Sequence, residues 1–151
     1  MDRKVELITS WFPRLAEDEG FRITSPETRK YNCIAWAEGM NDRWIWPVEP
    51  EDREVDMFWN NALNYNEDIE TFVSYYKALG FVETSDADNC AVGAIAIYVK
   101  DGKCTHAARK LPSGMWTSKL GAFHDIQHSS LSALEGFMYG KVYCVMTRAV
   151  E

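Results

Sequence analysis

Cys33 and His106 are the pair of residues in this chain whose types could carry nucleophilic chemistry. A thiolate attacks a carbonyl carbon, and an imidazole within hydrogen-bond reach takes and returns the proton. Cys33 lies in the run YNCIAWAEGM (31–40), at or beside the first turn of an expected helix that starts near Asn32 and is closed by Gly39. Unpaired backbone N–H groups and the helix dipole favour a thiolate there. His106 falls in an expected strand just past a hairpin, a common way for a sheet to present a base to a thiol. Backbone N–H groups with the Asn32 side chain could form an oxyanion hole. The plainer reading makes Cys33 a small core residue ahead of Ile34 and Trp36, and His106 a strand histidine satisfied in place.

The elements that must position these residues follow from periodicity. Residues 3–12 place Val5, Ile8, Trp11 and Phe12 near one helical face, and 20–31 form an irregular lead-in with a turn at Ser25-Pro26. The stretch 41–61 has no clean period and reads as a long surface loop, of the kind that is often functional. NEDIETFVSYYKALG (66–80) is the clearest helix, opened by Asn66 or Glu67 and ended by Gly80. The period then switches to that of strands: FVETS, VGAIAIYVK, CTHAARKL and MWTSKL, joined by tight turns at Asp101-Gly102 and Pro112-Ser113-Gly114. GAFHDIQHSSLSALEG reads as a loop entering a short helix, and KVYCVMTRAV as a final strand. Cys104 shares strand parity with His106 and is expected on the same side. The layout is α+β, N-terminal helices packed on an antiparallel sheet, over 1–151 as a single domain.

Composition narrows the function. The chain has 151 residues, is 46% hydrophobic and 26% charged, and carries a formal net charge of −7. Such a surface repels phosphate backbones, so nucleic acid is not an expected partner. No apolar run approaches the roughly 20 residues that span a bilayer, and the first residues show no signal-peptide core, so a cytoplasmic protein off the membrane is expected. The four cysteines, Cys33, Cys90, Cys104 and Cys144, form no CxxC pair and are expected to be reduced thiols. Trp36, Trp44, Trp46, Trp59 and Trp116 are core or the walls of a substrate groove. Arg109, Lys110 and Lys119 could bind a carboxylate or phosphate, or balance neighbouring acids.

The blocks YNCIAWAE, WIWP, IAIYVKDGKCTHAARKLPSGMWTSKLGAFHDIQH and LEGFMYGKV resemble an uncharacterised bacterial family built on the same blocks. A more distant resemblance is to papain-like proteins. Ala94–Ala107 matches the HVGIYxGDGxxIHA strand of NlpC-type peptidases without a gap, with the base histidine of that pattern falling on Ala94. In transglutaminase-like proteins the base histidine opens a strand and a tryptophan strand carries the orienting acid; His106, Gly114 and Trp116 match, and no Asp follows Trp116 closely. The resemblance then implies that Ser118, Lys119 or, from the next loop, Asp125 orients the ring, and Asp125 is the best chemical choice because a carboxylate fixes the imidazole tautomer and stabilises its charged form. The resemblance implies a papain-like cysteine hydrolase or acyltransferase that acts on an amide or ester of a peptide or protein substrate. Cys33, His106 and Asp125 would be catalytic, and Asn32, Trp36, Trp44, Trp46, Trp116, Ser118 and Lys119 would contact substrate. The alternative is a non-catalytic immunity or regulatory module that meets a basic protein partner with the acidic, Trp-rich segment 44–59.

His124, Asp125 and His128 form a rival cluster. On a helix, His124 and His128 would share a face and could hold a divalent metal. The segment reads better as a loop, with His124 exposed and His128 at the start of the following helix, and no further ligand stands at metal spacing. No cofactor and no metal are expected. The purified protein should carry no stoichiometric transition metal; about one zinc per chain by elemental analysis would move the chemistry to 124–128.

Overall fold

A computed structural model describes residues 3–86 and 89–148. In chain order it contains helix α1 (Arg3–Trp11), strand β1 (Arg22–Ile23), helix α2 (Cys33–Ala37), strands β2 (Trp44–Ile45) and β3 (Met57–Phe58), and helix α3 (Ile69–Ala78). Strands β4 (Val82–Thr84), β5 (Ile95–Lys100), β6 (Lys103–Lys110), β7 (Trp116–Lys119), β8 (Asp125–His128) and β9 (Lys141–Thr147) follow. Short 3-10 turns occupy Pro13–Glu17, Pro50–Asp52 and Leu131–Leu134. Seven strands form one sheet in the order β1-β8-β7-β6-β5-β9-β4, every neighbouring pair antiparallel.

The sheet is covered on both faces because its strands alternate two apolar sets. Ile95 and Ile97 of β5, Cys104 and Ala107 of β6 and Met146 of β9 pack against α2, α3, Ile45 and Trp59. Ala96 and Tyr98, Ala108, Trp116, Ile126 and Val145 pack against Ile8, Phe12 and Leu15 from the N-terminal segment and Ala133 and Leu134 from the third 3-10 turn. The α+β layout of helices on an antiparallel sheet is therefore present.

Several local expectations are corrected. The stretch 41–61 is not only loop: β2 and β3 pair in parallel, Trp44 with Met57 and Ile45 with Phe58. Residues 124–128 are not a loop; Asp125–His128 is a strand between β7 and β1. The lead-in 20–31 contributes β1. Helix α3 starts at Ile69, later than expected, because Asn66 Oδ1 accepts from Asp68 N–H at 3.2 Å and the Thr71 hydroxyl, while the Glu67 carbonyl is taken by Cys104 N–H at 2.9 Å.

One deviation in β6 fixes which side chains face which layer. Tyr98 pairs with His106 but Val99 pairs with Cys104, so Thr105 is an extra residue, a β-bulge. The bulge breaks parity: Cys104 joins the α2 and α3 layer, and His106 turns to the α1 layer, edge-on to Tyr98 at 5.3 Å and stacked on Tyr139 at 4.3 Å and 5°. The Thr105 hydroxyl donates to the Tyr139 carbonyl at 2.6 Å and pins the 136–140 loop. That loop returns to the sheet at Gly140, whose φ is +75° and whose Cβ, if present, would stand 2.1 Å from the Val99 carbonyl oxygen. Gly140→Ala should lower unfolding free energy by at least about 2 kcal/mol in urea titration, and a loss within about 0.5 kcal/mol would contradict this packing.

Candidate functional site

Cys33 opens α2 as expected, and Asn32 is the residue that makes it do so. Asn32 has extended backbone, and its Oδ1 accepts from Ala35 N–H and Ile45 N–H, each at 3.2 Å, while its Nδ2 donates to Ile45 O at 2.7 Å. The side chain caps the helix and ties it to β2. Each of these bonds goes to the backbone, so Asn32 acts as a structural cap.

The Cys33 thiol is buried against β6, where Ala107 N–H points to it. Burial pushes its pKa up to about 11, against hydrogen bonds from the backbone of Ala107, Ile34 and Cys33 itself and the nearby Lys119 charge. Desolvation outweighs the helix start, and the group is a thiol at neutral pH. Cys104, in the same layer, is raised well above its ordinary value, by burial first.

His106 does not meet Cys33. It lies fully buried on the opposite face of the sheet, and neither ring nitrogen has a hydrogen-bond partner among the described residues. Burial first, then the neighbouring His128, hold it well below its ordinary pKa, so it is a neutral imidazole. The expected Cys33–His106–Asp125 assembly is corrected on this point, and so is the expectation that Cys104 and His106 share a side. Strand parity fails at Thr105.

The residues that do converge on the Cys33 side come from β7, β8 and the lead-in. Lys119 and Asp125 are cross-strand partners. The Lys119 side chain has no exposed surface; Nζ donates to Thr28 O at 2.8 Å and Gly121 O at 2.6 Å and stands 5.0 Å from the Tyr31 ring centre. Burial draws its pKa down to about 8, with Asp125 and Cys33 opposing. Asp125 Oδ2 accepts from the Tyr31 hydroxyl at 2.7 Å, and Oδ1 accepts from Thr24 Oγ1. Both carboxylate oxygens are occupied by neutral hydroxyls, and none of these bonds reaches an imidazole. Tyr31 and Thr24 were not legible as site residues: nothing in local spacing shows that residues a hundred positions apart will share a carboxylate.

The remaining expected contacts divide between the faces. Trp36 lies on the Cys33 side; its indole N–H donates to Thr117 Oγ1 at 2.9 Å and the Arg109 guanidinium sits 4.7 Å above its ring. Trp116 and Ser118 point to the opposite face, Ser118 Oγ lying 2.8 Å from His128 Nε2. They share no groove with Cys33, which corrects their placement as substrate contacts. Trp46 packs on Phe72 with ring centres 5.0 Å apart and donates to Glu67 Oε2 at 2.9 Å. Trp44 is half-buried in a groove of about 480 Å³ with Arg29, Glu54, Asp56, Met57 and Ala122.

The histidine pair is also resolved. His124 is buried, not exposed, with Nδ1 2.9 Å from Ser25 O, and His128 places Nδ1 2.8 Å from Ser130 O. Four residues apart in extended chain they stand about 13 Å apart, too far for one ion. Among the described residues, ligand-type atoms close enough to hold an ion belong to Glu49, Glu51 and Asp52, all exposed.

Fold and site together define an α+β domain with a helix-start cysteine and no histidine facing it. The chain belongs to the family described as a domain of unknown function (DUF7689), which matches residues 22–147. No curated protein and no solved structure matches the chain. None of the helices among the described residues is long and apolar enough to cross a membrane.

Burial predicts the thiol chemistry. Brief iodoacetamide treatment of the native protein should leave Cys33 and Cys104 unlabelled until denaturant is added, by mass-spectrometric mapping; preferential native labelling of Cys33 would contradict the burial and the raised pKa.

Proposed function

We propose that this chain is a non-catalytic binding module, of the immunity or regulatory kind, that docks a basic protein partner on its segment 44–59. The observation that carries this reading is the construction of that segment. The pairing of β2 with β3 holds its two ends together, and Arg53 braces the loop between them, donating to Val48 O at 2.8 Å and Asn61 Oδ1 at 2.5 Å. Its guanidinium is thus spent on neutral oxygens. Glu49, Glu51, Asp52, Glu54 and Asp56 form no ion pair among the described residues. Glu49 is even held above its ordinary pKa, by a hydrogen bond with Glu51, the Glu51 charge, slight burial and the Asp52 charge. Repulsion between fixed carboxylates is relieved by a cation, and Val55, 93% exposed beside the Trp44 groove, adds apolar area to the same surface.

The frame itself we read as papain-like in descent, which is supported by a cysteine at the first turn of a short helix packed on an antiparallel sheet. A hydrolase of peptide or protein amides or esters is the second reading. The helix-start position of Cys33 favours it; the buried, protonated thiol and the placement of His106 on the other face favour the binding module.

A fluorescein-labelled decalysine peptide is a direct probe. At low salt the wild-type chain should bind it, and the variant E51Q/D52N/E54Q/D56N should bind at least roughly tenfold more weakly. The control E6Q/E17Q/E19Q/E83Q, with the same change in net charge, should stay within about twofold of wild type. Equal losses in both variants would reduce the effect to net charge and overturn the assignment of the segment.

A further inference from the structure

His106 is the one side chain among the described residues that is fully buried with unpartnered polar atoms. Buried polar groups are almost always satisfied, so this one calls for a reason. Its surroundings are specific. The Tyr139 ring covers it face to face, Tyr98 meets it edge-on, and Phe12 lies 4.8 Å from Tyr139 on the outer side. Tyr139 belongs to the loop 136–140, which follows the Leu131–Leu134 turn, and the Tyr98 hydroxyl donates to Leu131 O at 2.6 Å. The stack therefore joins the sheet to the layer above it.

We propose that His106 and Tyr139 form an acid-sensitive latch: protonation of His106 releases the 136–140 loop and loosens the layer of α1 and the Pro13–Glu17 and Leu131–Leu134 turns from the sheet, while the α2 and α3 layer stays closed. An imidazolium at this place carries two N–H donors, one more than the neutral ring, and finds no acceptor for either among the described residues. Attraction to the Tyr139 face offsets part of the lost hydration.

Among the described residues, the ionisable groups around the latch bring no opposite charge to His106 itself. Tyr98 from β5 and Tyr139 from the loop are phenols held neutral, by burial first. The Cys33 thiol, acting on Tyr139, is neutral as well. His128 from β8 is buried and held below its ordinary pKa, and its protonation would add a like charge. Glu135 is engaged by Val142 N–H at 2.9 Å and faces Arg14 at 3.7 Å. Asp18 accepts from the N–H and hydroxyl groups of Ser129 and Ser130. The segment α1 itself brings apolar Ile8, with Phe12 just beyond its end.

The sign of the linkage follows. The folded state disfavours charged His106, whereas the unfolded chain takes the proton near an ordinary pKa of about 6.5. Stability is complete above that value and falls as pH drops below it, by about tenfold in the folding constant per pH unit for one histidine. Asp18 acts elsewhere. Burial raises it, but hydrogen bonds from Ser129, Ser130 and Gly20 outweigh that and hold it below its usual range, so its contribution is lost only below about pH 4.

Hydrogen exchange read by mass spectrometry, corrected for intrinsic rates, tests the latch at about pH 7.5 and about pH 5. In the wild-type protein, peptides from 3–17 and 131–140 should lose protection at least tenfold at the lower pH, and peptides from Ile69–Ala78 should keep theirs. His106→Phe preserves the stack without the titration, and its outer layer should stay protected. An equal acid loss in His106→Phe, or a wild-type loss shared equally by Ile69–Ala78, overturns the proposal. If the variant does not fold, NMR titration of the wild-type His106 ring decides: no protonation of the folded form down to about pH 5.5 supports the latch, and a midpoint at or above about 6.5 overturns it.

Discussion

The extra residue at Thr105 sets the relation between the two faces of this sheet. Across it, β6 continues with the same pairing partner, β5, but its side chains exchange sides: Cys104 and Ala107 look toward α2, while His106 and Ala108 look toward α1. A bulge normally re-aims one side chain and tightens the local twist. Here it also supplies the Thr105 hydroxyl that fastens Tyr139, so the residue that turns His106 outward also holds the ring that covers it. The chemistry of the chain follows from that geometry: a thiol with no histidine beside it on one face, and on the other an imidazole without a hydrogen-bond partner among the described residues.

The Cys33 face shows how burial can outweigh position. A cysteine at a helix start is ordinarily activated, but α2 has only five residues and its first turn is closed by Asn32 and covered by β6. The N–H groups that could stabilise a thiolate are present, yet the desolvation cost is greater. Lys119 is treated in the same way. Its ammonium group is held by two carbonyls and the Tyr31 face rather than by a carboxylate, and Asp125 is held by two hydroxyls. These are satisfied polar networks that join the lead-in 20–31 to the β7–β8 hairpin, and they specify structure.

Much of this architecture was legible in the residues. The amphipathic spacing of α1 and α3, the Asp101-Gly102 turn between β5 and β6, and the Asn32 cap all announce themselves through local rules. What was not legible depends on pairing between distant segments. Strand parity placed Cys104 and His106 together, and no feature of KCTHAARK marks Thr105 as the residue without a partner. HDIQH (124–128) reads as loop because two histidines and an acid interrupt its apolar pattern; Asp125–His128 becomes a strand because β7 and β1 flank it and its polar side chains find partners outside it, Thr24, Tyr31 and Ser118 among them. The parallel pairing of β2 and β3 is two residues long and leaves no periodic signature.

The central claim is that His106 and Cys33 stand on opposite faces of one sheet. Nuclear Overhauser contacts from the His106 ring protons test it most directly, in the intact protein at neutral pH. The structure predicts contacts to the ring protons of Tyr139 and Tyr98, and none to the Cys33 β-protons. A contact between the His106 ring and Cys33 would contradict it, and would restore a thiol and its base to the same cleft.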